Sequence, residues 1–277
     1  MAAKAIDRLE HVRRLVPVSR LPTLVERKVD RLWANDAYRL AQEGQMRYLL
    51  EHTERASEIP ELARGFAEHS LLRTYLRWHP EQVSRQPVRD IERLTDRTDP
   101  DRGIVLNFMH HNLYEGLFSS LKHSGAEITI LASPKVLGPD TPTGLKQHIR
   151  VVQGANPLIP ASGGLDAIQA QFRPGMTMAI ASDVPGHTEV KFLGRRVLSS
   201  FGAPLIATRT DSPVAVVTVR RDGEGHSYLQ VHEPLEPKNF AEPMDLLKEM
   251  LRQHEEAILA WPEVLEMPRA RWGIIQE

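Results

Sequence analysis

Two histidines and a carboxylate lie close together in the segment NFMHHNLYEGLF, which covers residues 107–118. His110 and His111 follow the apolar run GIVLNFM, and Glu115 comes five residues after His110. The apolar run is typical of a buried parallel strand, and the following NLYEGLFSSLKHSG predicts a helix that ends at Gly125. The three side chains are therefore expected at the carboxyl end of a strand, where α/β sheets commonly place their chemistry.

An imidazole beside a carboxylate is suited to proton transfer. A carboxylate that accepts a hydrogen bond from one ring nitrogen fixes the tautomer and leaves the other nitrogen as a base. We therefore interpret His110 as a general base for an attacking hydroxyl, with Glu115 as its orienting partner. Two alternatives stay open from these residues alone. One is a structural hydrogen bond, and the other is a metal site, although the helical His-Glu-x-x-His spacing of zinc hydrolases is lacking.

The surrounding segments predict an α/β fold with a mixed central sheet flanked by helices and a helical N-terminal region. Residues 1–98 carry apolar side chains at three- and four-residue steps, without strand-like alternation, and we expect them to form helices that pack on the core. A turn-rich linker at 94–103 separates them from residues 99–277, where apolar runs alternate with helical segments and predict an α/β core.

The predicted strands of this core are short apolar runs between turns. After GIVLNFM they are AEITILA, GMTMAIASD, and the pair PVAVVTVRR and SYLQVHEPL, which the turn DGEG joins. A closing helix is expected near Asn239, because Asn239 and Glu242 have the spacing of a capping box.

Composition excludes several classes of protein. The chain has 277 residues, with 35 basic and 36 acidic side chains, so its overall charge does not favour nucleic-acid binding. It contains no cysteine, which excludes disulfides, cysteine–zinc sites and cysteine nucleophiles and fits a cytosolic compartment. We see no signal peptide and no spanning apolar run, and we find neither a P-loop nor a Gly-x-Gly-x-x-Gly motif. We therefore expect no cofactor and no metal.

The stretch HHNLYEG resembles the His-x4-Asp/Glu signature of the glycerolipid acyltransferase superfamily. It is most similar to the bacterial lipid A biosynthesis (lauroyl/myristoyl) acyltransferases and their relatives that acylate phosphatidylinositol mannosides. His110 takes the histidine place of that motif, Tyr114 the aromatic place and Glu115 the acidic place, and His111 is an additional neighbour. Three later segments resemble the family in the same order: MTMAIASDVPGHTEVKFLGRR, FGAPLIATRTDSPVAVVTVRR and EEAILAWPEVLEMPRARW. The resemblance covers about residues 60–272.

Two features depart from the family's pattern. Its members usually begin with a membrane-anchoring apolar helix, and this sequence shows none. They also commonly carry a second aspartate two positions after the strand-end aspartate, which here is Asp183, and that position is Pro185. The acyl-donor side or the acceptor is therefore expected to differ from the standard glycolipid case.

The resemblance implies an O-acyltransferase of lipid biosynthesis. It would move a fatty acyl group from acyl-CoA or acyl carrier protein to a hydroxyl of a lipid, glycolipid or biosynthetic intermediate. Independently, the lack of cysteine and of a Gly-x-Ser-x-Gly elbow favours direct attack by the acceptor over a covalent acyl-enzyme. We expect a cytoplasmic protein with no nucleic-acid partner, and peripheral contact with the inner face of the cell membrane as an open alternative.

Further side chains are candidates for substrate binding. Arginine suits phosphate groups, with solvated surface charge as the alternative, and an aspartate at a strand end orients a partner or only forms a turn. The candidates are Arg195 and Arg196 on the FLGRR turn, Asp183, Tyr114, His111 and Arg221.

Two other functions stay open. The same His–Glu pair would let a hydrolase activate water against a thioester or ester. A non-catalytic acyl-carrier-binding or lipid-binding protein would keep the fold, but it has no need of the pair. The acceptor, the acyl length and the donor carrier are not identified by the sequence.

Overall fold

The structure is a computed structural model that describes residues 12–97 and 99–273. The helices in these ranges are α1 (Leu21–Trp33), α2 (Asp36–Leu50), α3 (Ile59–Leu76), α4 (Glu92–Thr95), α5 (Leu117–His123), α6 (Thr143–Gln153), α7 (Gly164–Gln169), α8 (Gly202–Arg209) and α9 (Pro243–Ala260). The strands are β1 (Val88–Arg89), β2 (Ile104–Phe108), β3 (Thr129–Ala132), β4 (Leu158–Pro160), β5 (Thr177–Ala181), β6 (Thr188–Phe192), β7 (Arg195–Ser199), β8 (Val214–Arg221) and β9 (Ser227–Val231).

Seven of these strands form one mixed sheet, in the order β1-β9-β8-β2-β5-β3-β4. The neighbours from β8 to β4 run parallel, whereas β9 is antiparallel to β8 and parallel to β1. All five residues of β2 are buried, as expected of a strand covered by helices on both faces. The predicted mixed α/β sheet flanked by helices is confirmed.

The N-terminal helices pack through apolar stripes. Leu21, Val25 and Val29 recur at four-residue steps on α1 and are buried in one cluster with Ala67 and Tyr75 of α3. The short strand β1 also comes from before residue 98, and it pairs with β9 at the edge of the sheet. The division of the chain at residue 98 stays a prediction, and the part of it that covers residues 1–11 lies outside the described residues.

The closing helix α9 begins at Pro243, later than predicted. Asn239 lies in a preceding 3-10 turn, and Glu242 occupies the cap position without a side-chain cap hydrogen bond. The predicted capping box is therefore wrong. Proline is suited to the first helical position, since its fixed φ matches the helix and its missing N–H would have no partner there. The apolar side chains of α9 that pack on the core are buried: Leu247, Met250, Leu251 and Ile258.

Residues 261–273 follow α9 and are called here the C-terminal strap. The strap runs beside residues 110–112, which follow β2, and three hydrogen bonds join the two segments. The ring Nε2 of His111 donates to the carbonyl of Trp261 (2.9 Å), the N–H of Asn112 to the carbonyl of Val264 (2.9 Å), and the N–H of Glu266 to the carbonyl of His110 (2.9 Å). The end of β2 is thus held by a segment about 150 residues later in the chain.

Among the helices that the structure describes, none is both long enough and apolar enough to cross a bilayer.

Candidate active site

The parallel register of two central strands brings His110 beside Asp183. Strands β2 and β5 are neighbours, with Phe108 opposite Ala181. His110 lies two residues after Phe108, and Asp183 lies two residues after Ala181, so the two residues are adjacent at the carboxyl edge of the sheet. The ring Nδ1 of His110 lies 2.8 Å from Oδ1 of Asp183, and the backbone N–H of His110 donates to Oδ2 at 2.9 Å. Both carboxylate oxygens therefore hold the same histidine, through its ring and its backbone.

The electrostatics of this pair favour a neutral imidazole beside an ionised carboxylate. Burial opposes ionisation of Asp183, but the charge and hydrogen bonds of His110 outweigh it and lower the pKa of Asp183 to about 2. Burial also lowers the pKa of His110 below 6.5, against the opposing pull of Asp183. At neutral pH the Nδ1–H of His110 then donates to Asp183, and Nε2 carries the lone pair of a base.

His110 lines a cavity of about 470 Å³. The polar side chains around it include Arg77, Tyr114, His148 and Arg271, but most of the wall is hydrocarbon. The apolar lining residues are Phe108, Ile130, Leu131, Ala132, Val136, Leu145, Ile149, Val152, Ala181, Val184, Met267 and Ala270. A base beside a largely apolar cavity suits a substrate that has a polar reacting group on a hydrocarbon chain.

Glu115 lies away from the His110 ring nitrogens. Its side chain is buried, with Oε1 at 4.0 Å from Nε of Arg73 and 3.8 Å from Nδ1 of His148. Neither carboxylate oxygen has a hydrogen-bond partner within the described parts of the chain. Burial raises the pKa of Glu115 above 4.5, and the positive charge of Arg73 opposes this shift. The expected hydrogen bond between His110 and Glu115 is therefore absent, and Asp183 occupies that place.

A close backbone approach fixes the turn that carries Glu115. The turn spans Tyr114–Gly116, and a Cβ on Gly116 would lie only 1.8 Å from the carbonyl oxygen of Val83. Only glycine lets the two backbones meet so closely. Glu115 is consequently directed into the interior, toward α3, and not back along the strand to His110.

Tyr114 connects the histidine to the C-terminal strap. Its ring meets the His110 ring edge-on, with centroids 4.6 Å apart. Its hydroxyl donates to Oε2 of Glu266 at 2.7 Å and lies 3.0 Å from Nε2 of His148. Because the hydroxyl proton goes to Glu266, His148 carries its proton on Nε2 and turns Nδ1 toward Glu115. Arg271 forms an ion pair with the same oxygen of Glu266.

Comparison with known proteins decides the family. The family described as bacterial lipid A biosynthesis acyltransferase matches residues 63–273. The chain belongs to this family. Membership supports acyltransferase activity on lipids. A comparison with curated proteins gave no match.

Among solved structures, the chain is similar to the 1-acyl-sn-glycerophosphate (LPA) acyltransferase PlsC from Thermotoga maritima. The two share 16% sequence identity with a TM-score of 0.42, over 98% of this chain and 100% of that chain.

Two of the predicted substrate-binding arginines lie away from the cavity that His110 lines. Arg195 and Arg196 are on β7, in a hairpin with β6, and not on a turn as the sequence predicted. Arg195 covers the ring of Tyr48, 4.2 Å from its centroid, and pairs with Glu51. Arg196 makes two hydrogen bonds of 2.6 Å to Glu189 across the hairpin. Their role in binding substrate stays a prediction.

Two other candidates contribute to packing beneath the strap. The guanidinium of Arg221 lies 3.1 Å from the centroid of the Trp261 ring. His111 is buried, and burial lowers its pKa to about 4, so it is a neutral donor to the strap. Neither residue lines the cavity that holds His110. Of the six candidates, Asp183 and Tyr114 contact His110 directly.

A buried polar network supports the strand ends from behind. Asn107 on β2 donates through Nδ2 to the carbonyl of Ile180 (2.9 Å) and to Oγ of Ser182 (2.8 Å). Its Oδ1 accepts from Nε2 of His254 on α9 at 2.9 Å. These bonds fix β2 against β5 three residues before His110, and so hold the register on which the His110–Asp183 pair depends.

Several residues of the site were missed by the sequence analysis. Arg73, Arg77, His148 and Glu266 were not singled out, and Arg271 was noted only within the C-terminal family segment. They come from α3 and the residue that follows it, from α6 and from the strap, and they meet only through the tertiary fold. The Pro-Arg-Ala-Arg-Trp part of that segment was the one signal in the sequence that pointed to any of them.

Proposed function

We propose that this chain transfers a fatty acyl group from an acyl-CoA or acyl carrier protein thioester to a hydroxyl of a lipid, glycolipid or biosynthetic intermediate. The observation that carries this proposal is the His110 imidazole, held by Asp183 at a cavity with mainly apolar walls. Family membership supports acyl transfer itself. The donor, the acceptor and the residue roles belong to the proposal.

The proposed reaction begins at Nε2 of His110, which removes the proton of the acceptor hydroxyl as its oxygen attacks the thioester carbonyl carbon. The C–O bond forms and gives a tetrahedral intermediate. Its collapse breaks the C–S bond, and the imidazolium returns the proton to the leaving thiolate. Throughout these steps the Asp183 carboxylate holds the ring in one tautomer and stabilises its positive charge. The products are an ester and a free thiol.

In this scheme Asp183 takes the orienting role first assigned to Glu115. Glu115 is a positioning residue, since it lies near Arg73, and Nη2 of Arg73 donates to the carbonyl of Val264 in the strap at 3.0 Å. Tyr114 supports the His110 ring from the side. The apolar lining of the cavity would hold the acyl chain.

The first experiment is thiol release from acyl-CoA and from acyl carrier protein donors, with lipid and glycolipid acceptors, for the wild type and His110→Ala. General-base help is typically worth about 10²- to 10⁴-fold, and we expect a loss of this size. His226→Ala is the matched control, because His226 is an exposed histidine on the β8–β9 turn and should leave the rate unchanged.

The products separate the remaining functions. Acceptor-dependent release of thiol together with an acylated acceptor supports transfer. Free fatty acid without an acylated acceptor would replace the proposal with a hydrolase. Equal release from wild type and His110→Ala would contradict the role of His110 as the base.

A further inference from the structure

A second cleft of about 430 Å³ lies beside the active-site cavity, and its charged side chains are all basic. Arg14 comes from the segment before α1, and Lys146 and Arg150 come from α6, one helical turn apart. The other described lining residues are Trp78, Thr143 and Gln147, and none of the described lining residues is acidic.

The three cations lack the carboxylate partners that are common elsewhere on this surface. Lys146 donates to the carbonyl of Pro139, and Arg150 is 3.4 Å from the side-chain oxygen of Gln147. Neither these two nor Arg14 forms an ion pair with a carboxylate of residues 12–97 or 99–273. Like charges one turn apart on a helix repel each other. An anion in the cleft would be attracted to both of them and would offset this repulsion.

The cleft also receives the positive end of a helix. Thr143 is the first residue of α6, and Pro142 before it provides no side-chain cap. The first N–H groups of a helix carry partial positive charge and suit phosphate oxygens. With the three side-chain cations, the site has enough positive charge for a ligand with more than one phosphate.

Helix α6 forms the wall between this cleft and the active-site cavity. One face of the helix lines the cavity through Leu145, His148, Ile149 and Val152, and the other lines the cleft through Lys146, Gln147 and Arg150. Arg77 and Trp78 are adjacent in sequence, and Arg77 lines the active-site cavity whereas Trp78 lines the cleft. An α-helix is about 10 Å across, so a flexible arm can pass from one space to the other around it.

We propose that the cleft binds the phosphate groups of the acyl donor, namely the adenosine 3′-phosphate 5′-diphosphate end of an acyl-CoA. This assignment rests on the proposed thioester donor. The phosphates lie against Arg14, Lys146 and Arg150, and Trp78 gives the adenine an aromatic neighbour. The pantetheine arm then brings the thioester to His110, while the acyl chain occupies the apolar cavity.

The test is direct binding of adenosine 3′,5′-bisphosphate to the full chain, which needs no turnover. We expect the wild type to bind it with an affinity that falls as salt rises, since the contacts are between charges. The double variant Lys146→Glu and Arg150→Glu should lose at least about tenfold in affinity, or about 1.4 kcal/mol. Lys248→Glu with Arg252→Glu is the matched control, because these cations are also one turn apart and exposed, on α9, and it should bind as the wild type does.

Donor kinetics and vesicle binding distinguish the sources of phosphate. The double variant should raise the KM for acyl-CoA by about tenfold or more while kcat and the use of acyl-pantetheine stay near the wild-type values. Equal nucleotide binding by both proteins would overturn the proposal. It would also be overturned if the double variant lost only binding to phosphatidylglycerol vesicles, or only turnover with acyl carrier protein.

These outcomes are separate from those of the proposed function. If no thioester releases thiol with the wild type, acyl transfer from thioesters fails, whatever the cleft binds. If thiol release depends on His110 but the nucleotide does not bind, the chemistry stands and the assignment of the cleft fails.

Discussion

The two ends of the His-x4-Glu motif lie in different electrostatic surroundings. At His110, both oxygens of Asp183 accept hydrogen bonds, and the ring faces a cavity. At Glu115, both carboxylate oxygens are buried without a hydrogen-bond partner in the described structure, and the nearest cation is 4.0 Å away. The first end has the geometry of a preorganised proton acceptor, and the second that of a buried carboxyl group whose pKa is raised by burial. A motif that is continuous in sequence thus separates into a reacting part and a supporting part.

Apart from the loss of His110 itself, the largest expected effect is that of Asp183→Asn. The new amide would donate to Nδ1 of His110 and move the ring proton to Nε2, so the base would lose its lone pair on the reacting side. We expect kcat to fall by about 10³- to 10⁴-fold, as for the equivalent change in a Ser-His-Asp triad. Asp245→Asn, at an exposed aspartate of α9, is the control. Wild-type turnover by Asp183→Asn would remove Asp183 from the mechanism.

The pH–rate profile tests the same end of the motif. The base must be neutral, and burial lowers the pKa of His110, so kcat/KM should rise with pH to a plateau with its inflection below 6.5. Below the inflection the rate should fall about tenfold per pH unit. Glu115→Gln should leave the inflection in place, since Glu115 is not among the groups that shift His110. A shifted inflection in Glu115→Gln would show that Glu115 affects the ionisation of His110 and would contradict the separation of their roles.

Glu115→Gln should have a smaller effect on the rate. Its oxygens accept no hydrogen bond in the described structure, and burial raises its pKa, so a neutral isostere changes little around it. We expect kcat to fall less than about tenfold, which corresponds to about 1.4 kcal/mol. If the loss equals that of Asp183→Asn in the same thiol-release assay, the interpretation of Glu115 as the partner of His110 is restored.

The last prediction concerns stability at acid pH, not the rate. Burial lowers the pKa of His148 from 6.5 to about 3. The neutral side chain therefore contributes to the free energy of unfolding in full above about pH 6.5, and this contribution is lost as pH falls toward 3. The slope is roughly 1.4 kcal/mol per pH unit in that window. His148→Gln keeps a donor for Tyr114 and should flatten the fall of Tm between pH 6 and 4. The same substitution at exposed His226 should not, and an unchanged slope in His148→Gln would contradict the assignment.

The strand end and its histidine were predictable because their signals are local. GIVLNFM is an apolar run bounded by turns, and the structure has β2 at Ile104–Phe108 with His110 beyond its carboxyl end. The partner of His110 was not predicted correctly, because it lies 73 residues away and is set by the register of β2 with β5. In sequence, the five-residue spacing to Glu115 was the nearer option. In the fold, the backbone at Gly116 packs closely against Val83, and Glu115 is directed away from His110.

Misassigned segments show the same limit. The FLGRR segment contains a turn at Leu193 and Gly194, both at positive φ, but its arginines continue into β7 of a hairpin that the sequence analysis did not predict. The Asn239–Glu242 spacing indicated a cap, yet Pro243 starts the helix. In both places the sequence correctly indicated a nearby turn or helix, but the predicted boundary lies a few residues from the observed one, because element boundaries depend on packing.

The C-terminal strap affects the order in which the site is completed during synthesis. His110 and Asp183 leave the ribosome well before residues 261–273, which bond to residues 110–112 and supply Glu266 and Arg271. A nascent chain that carries both members of the pair still lacks the segment that holds them. Any chain released early within the strap would therefore display an exposed apolar cavity without a finished catalytic centre, and would be a target for chaperones or proteases instead of a working enzyme.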